Sequence, residues 1–191
     1  MGRVRDVVNR ALDDLCERDR HLLDPDVNIK ERSITHRLGM YLQRYFGDRW
    51  DIDCEYNRNL DGNNIKRLPP PPSTPDQAAD WTDTKGRTIY PDIIVHQRGV
   101  NTHNLLVVEV KKQNSGDSQW DFEKVKRLQA DYAHLEQIEA QKADPYNMRY
   151  RYTLFIRFKK RNGRPWPKQI WNDWQTKNWQ DEETYHEQSR Y

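Results

Sequence analysis

The sequence predicts an α/β domain built on a small mixed sheet with helices against it. Three observations predict it. Apolar residues recur at helical intervals in three long segments, 3–19, 29–46 and 121–140. Segments of strand length, whose apolar residues either alternate with polar ones or run together, lie at 50–57, 87–96, 104–111 and 150–158. The resulting order, α-α-β-β-β-α-β-α, interleaves the two types, as a sheet flanked by helices requires. A chain of 191 residues fits one domain, 1–191.

The first helix takes Val4, Val8, Leu12 and Leu15 as its apolar stripe, and the DPDVN stretch then breaks the pattern. The second, about 29–46, carries Ile34, Leu38, Tyr41, Leu42 and Tyr45 on one face. RWDIDCEYNR reads as a short strand near 50–57. From 59 to about 85 the chain turns irregular around PPPPSTP, which suits neither a helix nor a central strand and predicts an extended, exposed loop. Strands at 87–96 and 104–111 follow, joined by QRGVNTHN, whose Gly99 and asparagines predict a hairpin. The third helix, about 121–140, aligns Val125, Leu128, Tyr132 and Leu135, and YRYTLFIRF at 150–158 alternates as a strand does. The tail holds Trp166, Trp171, Trp174 and Trp179; Ile170 and Trp174 stand four apart, so a short amphipathic helix packed back on the core is expected, with a base-stacking platform as the sharper alternative. The core thus spans about 29–158, with an N-terminal helix in 1–27, the Pro-rich insertion at 59–85 and a basic, Trp-rich extension at 159–191.

Composition narrows the class. Leu, Ile, Val and Phe account for only 37 residues of 191, low enough to raise the question of disorder. A net charge of +2 and 17 Trp and Tyr residues argue instead for a small aromatic-rich core under a charged surface. Local bias survives the balance: KKRNGRPWPK, 159–168, has five basic residues and no acid, and reads as a solvated loop or as an edge that contacts phosphates. Cys16 and Cys54 match neither a metal spacing nor a disulfide framework. No apolar run reaches the length of a membrane span and no signal peptide is visible, so a cytoplasmic protein without membrane contact is expected.

The chemistry concentrates in YPDIIVHQRGVNTHNLLVVEVKK, 90–112. Asp92 interrupts the first strand, and Glu109 and Lys111 interrupt the second. Alternation points Glu109 and Lys111 to one face. Pairing through the turn brings Asp92 to the same side as Glu109, where two carboxylates repel and one would be pushed toward protonation. A divalent cation removes that conflict, and Mg²⁺ suits a site with few carboxylates that is completed by water and a substrate phosphate. Pro91 fits a strand edge or a local distortion that aims Asp92. An isolated E-x-K is more often an ion pair on a wet sheet face. LLVVEV, however, is apolar on both faces, so its acid needs a partner or a metal.

Pro91-Asp92, sixteen residues, then Glu109-Val110-Lys111 resembles the PD-(D/E)xK motif of the restriction endonuclease-like nucleases, a superfamily that includes Holliday-junction resolvases and many repair, phage and defence nucleases. The order of elements is similar to that family's αβββαβ core, with Asp on the second strand and E-x-K on the third, over about 130 residues. The resemblance implies phosphodiester hydrolysis, most simply a DNA endonuclease, with Mg²⁺ or Mn²⁺. It implies a metal held by Asp92, Glu109 and the Val110 carbonyl, with Glu31 from the first core helix binding directly or through water. Lys111 would orient the metal-activated water and stabilise the developing charge. Lys124 and Gln129 flank the apolar stripe of helix 121–140, and DFEKVKRL resembles the start of the helix that follows E-x-K in that family, which favours Lys124 as a further candidate catalytic residue. Each has a plainer reading: Asn28 to Glu31 fits a capping box, and Lys124 fits an exposed helical lysine. Glu55 is a weaker candidate behind the site, and Lys112 a phosphate contact. The competing function is a nuclease-like subunit that is silent, or cuts only when a partner in a defence or mobile-element system triggers it, and binds nucleic acid or protein. A homodimer would place two sites on opposite strands.

Overall fold

A computed structural model describes residues 2–59, 64–65, 67–68, 87–88, 90–99, 103–112, 150–173 and 178–182. The expected helix at 121–140, with Lys124 and Gln129, lies outside the described residues, as does most of the Pro-rich insertion and Trp174.

Helix α1 spans Gly2–Arg18, a 3₁₀ turn covers Arg20–Leu23, and α2 spans Glu31–Phe46. Strands β1 (Asp51–Cys54), β2 (Ile93–His96), β3 (Asn104–Lys111), β4 (Tyr150–Arg161), β5 (Arg164–Asp173) and β6 (Asn178–Glu182) form one six-stranded sheet in sequential order. All neighbours run antiparallel except the central pair β3 and β4, which is parallel. Two short antiparallel ladders, 58–59 with 64–65 and 67–68 with 87–88, lie apart from that sheet. The fold is therefore α/β with a mixed sheet, as the sequence predicts. Among the described residues, no helix is long and apolar enough to cross a membrane.

Both predicted stripes reach the core. Val8, Leu12 and Leu15 of α1 and Ile34, Leu38 and Leu42 of α2 are buried against one sheet face, where they meet Val108, Val110, Leu154, Ile156 and Trp171. Gly39 lets α2 lie close on β1: a Cβ there would stand 2.9 Å from Cys54 Sγ. Tyrosines bridge the helices at their polar edge, Tyr45 Oη donating to Asp14 and Tyr41 Oη to Asp19, each at 2.6 Å. The opposite sheet face buries Ile94, Val107 and Tyr150. β3 is thus covered on both sides, which is why LLVVEV lacks a polar alternation.

Two expectations need correction. The strand expected at 87–96 is divided: 87–88 pairs with 67–68, and only Ile93–His96 joins the main sheet. Pro91 accounts for the interruption, since it has no N–H to give a ladder. The helix expected in the tail is instead the β4–β5 hairpin followed by β6, and the basic 159–168 segment is the hairpin's tip. Asn162 and Gly163 turn it with φ of +49° and +74°, the left-handed pair that a two-residue hairpin needs. Beyond the turn, Pro167, Gln169 and Trp171 are buried; burial at every second residue is strand periodicity. Pro165 and Pro167 are tolerated because β6 pairs with β5 only from Gln169 to Asp173, so β5 is an edge strand where the prolines fall. Trp171 Nε1 donates to Gln169 Oε1, and Gln169 Nε2 donates to Asn9 Oδ1, each at 2.9 Å, which fastens β5 to α1.

Candidate active site

The β2–β3 ladder ends with Ile93 opposite Val108. One further step would set residue 91 opposite Val110. Proline there cannot donate to the Val110 carbonyl, and the chain leaves the ladder. Asp92 fills the position with its side chain: Asp92 Oδ2 accepts the Val110 N–H at 2.8 Å. The Asp92 N–H in turn faces Glu109 Oε1 at 3.4 Å. Pro91 thus does two things. It frees the end of the ladder, and it brings the Asp92 carboxylate beside Glu109. N–H and C=O of one strand residue point to the same edge, so the Val110 carbonyl faces this opening too. Glu109 is only 1% exposed; a carboxylate so far from water requires compensation.

Glu31 is the first residue of α2, preceded by Lys30, whose side chain makes no cap. It occupies the first helical position rather than the third, so the Asn28–Glu31 capping box does not form. Its carboxylate reaches the sheet instead: Oε2 accepts from Lys111 Nζ at 3.1 Å and Oε1 from the Lys112 N–H at 2.9 Å. Lys111 and Glu31 are both mostly buried, with side chains 14% and 26% exposed. Lys112, expected as a phosphate contact, is buried, and its Nζ donates to the Val27 carbonyl at 2.6 Å. It holds the loop before α2 onto the end of β3.

Behind Asp92, Glu55 adopts a left-handed conformation, φ +52°, which a non-glycine residue takes at a cost. Its N–H donates to the Asp92 carbonyl at 3.2 Å, and its carboxylate pairs with Arg32 Nε at 2.6 Å. Glu55 therefore links the first turn of α2, the end of β1 and the Asp92 segment. Burial first, and then the Asp53, Asp92 and Glu55 carboxylates, push the Cys54 thiol up to about 11. It offers no thiolate near neutral pH.

The structure thus gathers Asp92, Glu109 and Val110 at one point and joins Glu31 to Lys111 next to it. Among the described residues, no three His, Cys, Asp or Glu side chains converge as a metal-binding group. The set at the ladder's end is two carboxylates and a carbonyl, all oxygen donors. That set fits Mg²⁺, which needs only one or two carboxylates when water and phosphate complete its shell.

Sequence reasoning missed a second polar cluster. Asp53 meets His96, whose Nε2 lies 2.8 Å from Oδ2, and Arg98, whose Nε donates to Oδ2 at 2.8 Å. Arg98 also bonds Asp51, and the Tyr56 ring packs 5.1 Å from the His96 ring. Burial disfavours the Asp53 carboxylate, but hydrogen bonds and charge from His96 and Arg98 outweigh it and hold its carboxyl well below the usual carboxylate range. Its one visible signal was the alternation of Asp51 and Asp53 in DID, opposite a strand ending in His96. No family model, curated protein or solved structure matches this chain.

Proposed function

We propose that this chain is a metal-dependent nuclease that hydrolyses phosphodiester bonds, with DNA as its substrate. The observation that carries the reading is the paired Asp92 and Glu109 at the end of a ladder opened by Pro91, with Lys111 two residues along the same strand. Further support comes from the order of elements. α2, β1, β2, β3 and β4 follow the αβββαβ pattern of the PD-(D/E)xK nucleases, apart from the helix outside the described residues.

Asp92, Glu109 and the Val110 carbonyl would hold Mg²⁺ or Mn²⁺. The ion supplies a water of lowered pKa and charge for the phosphoryl oxygens. The protein's own residues do the rest. Lys111 offers an ammonium to the attacking water or to a phosphate oxygen, and Glu31 fixes where that ammonium sits. Asp92 is oriented by the Val110 N–H, and its segment by the Glu55 N–H. Glu31 acts here as a positioning residue through Lys111, in place of a direct metal contact.

A second reading is a silent or partner-activated nuclease-like subunit, and the Lys111–Glu31 pair is what favours it, since an ammonium held by a carboxylate must be shared with a phosphate before it acts. The purified protein, titrated with Mg²⁺ or Mn²⁺ against circular and linear DNA, separates the two. The nuclease reading expects cleavage by the wild type and a loss of at least about 10²-fold in Asp92→Ala, Glu109→Gln and Lys111→Ala. Binding without cleavage under either metal would leave the silent subunit.

A further inference from the structure

The β4–β5 hairpin carries the most one-sided charge in the chain. Residues 151–172 include seven Lys and Arg and no Asp or Glu, while the whole chain is only +2. The strand register sorts these charges. Arg157 pairs with Lys168, Lys159 with Trp166, and Arg161 with Arg164 at the turn. Side chains alternate, so Arg157, Lys159, Arg164 and Lys168 fall on one face. Ile156, Phe158, Pro167 and Gln169 are buried on the other. Lys159 and Arg164 are exposed, and no acid pairs with either among the described residues.

This basic face continues the face of the candidate site. Across the parallel ladder, Glu109 stands opposite Phe155 and Lys111 opposite Arg157. Lys111, Arg157 and Lys168 therefore form a row across three strands, next to the row of Glu109. β3 ends at Lys111, while β4 runs on to Arg161. The hairpin projects past the end of the sheet where Asp92 and Glu109 meet. Rows repeat every two residues, so the turn lies about 13 Å beyond Lys111, roughly four base-pair rises of a duplex. Lys160, on the other face, bonds Asp26 at 3.2 Å, in the loop that Lys112 holds to β3. The arm is thereby tied to the site.

We infer that this hairpin face is a track for the nucleic-acid backbone. It takes phosphates flanking the scissile one, on the side of the site beyond β3, and reads charge rather than sequence. The inference rests on the nuclease reading for the identity of the polyanion. It accounts for a DNA-acting chain of small net charge: the basic residues are collected on one arm instead of spread over the surface.

The test is binding of the full chain to a labelled duplex in EDTA, by fluorescence anisotropy over a KCl series. The double variant Lys159→Ala/Arg164→Ala should weaken binding about tenfold at low salt and flatten the slope of log K against log[KCl] by about 1.8, two phosphate contacts at about 0.9 each. Arg3→Ala/Arg49→Ala, which removes the same charge from exposed positions on α1 and in the turn between α2 and β1, off the basic face, should leave the slope unchanged. Lys159→Arg/Arg164→Lys should bind as the wild type does. Equal losses in both alanine pairs, an unchanged slope in the hairpin pair, or no binding by the wild type would each overturn the inference. Cleavage in Mg²⁺ and Mn²⁺, scored on the same proteins, separates the two ideas. A wild type that binds through the hairpin and never cuts keeps the track and loses the nuclease. One that cuts, with a hairpin pair that binds normally, does the reverse.

Discussion

Replacing Glu31 by Gln tests whether this helix residue holds Lys111 in place. The two charged groups lie 3.1 Å apart and are mostly buried. At an effective dielectric of about 20 their attraction is about 5 kcal/mol. Desolvation of two largely buried ions cancels most of that. The Lys112 N–H anchors the other carboxylate oxygen at 2.9 Å, so little further ordering entropy is lost when the pair forms. A net coupling of about 1–2 kcal/mol follows, above the ~0.5 kcal/mol typical of an exposed pair. The assay is a double-mutant cycle of Glu31→Gln and Lys111→Met in urea at neutral pH. Each single variant should lose about 2 kcal/mol, and the double variant clearly less than their sum. Under the proposed nuclease function, cleavage by Glu31→Gln should fall about 10–100-fold, because a displaced ammonium would no longer meet the reacting phosphate, with duplex binding in EDTA unchanged. A coupling below ~0.5 kcal/mol would refute the energetic argument. Wild-type cleavage by Glu31→Gln would refute the positioning role.

Two further outcomes follow from the packing around β1. Asp53→Asn removes the charge that binds His96 and Arg98 and should cost about 2 kcal/mol at neutral pH. Because the folded carboxyl is depressed, its contribution is fully present above the unfolded value near 3.9 and is lost as pH falls below it toward the folded value. The stability gap between wild type and Asp53→Asn, measured in urea, should therefore shrink on acidification below about pH 4; a gap independent of pH would sink the assignment. Gly39→Ala gains up to about 1 kcal/mol of helix propensity but drives a methyl to 2.9 Å from Cys54 Sγ, an overpacking cost of about 1–3 kcal/mol. Thermal melts should show net destabilisation in Gly39→Ala and its recovery in Gly39→Ala/Cys54→Ala, whereas a stabilised single variant would show that α2 can shift.

The sequence by itself determined the parts whose signals are local. The stripes of α1 and α2 were legible because burial on one helix face leaves a 3.6-residue period. β3 was legible because a strand covered on both faces reads as an unbroken apolar run, and an acid within such a run stands out. Asp92, Glu109 and Lys111 could therefore be singled out, and Pro91 marked the strand's irregular entry. The tail was misread for an equally local reason. Ile170 and Trp174, four residues apart, satisfy a helix and a strand alike, and the Asn-Gly turn that decides between them was taken as part of a basic loop. Tertiary structure decided what depends on register between distant segments. Only the β2–β3 ladder shows that Pro91 frees the edge at Val110 and that Asp92 takes over a backbone bond. Only the approach of α2 to the end of β3 sends Glu31 to Lys111 and Lys112, eighty and eighty-one residues away, rather than into a cap. The basic run at 159–168 acquires a direction in the same way: strand pairing places alternate charges on one face, and the parallel ladder aligns that face with Glu109. A linear pattern carries periodicity and composition, but which face meets which is fixed by hydrogen bonds between strands that the sequence does not order.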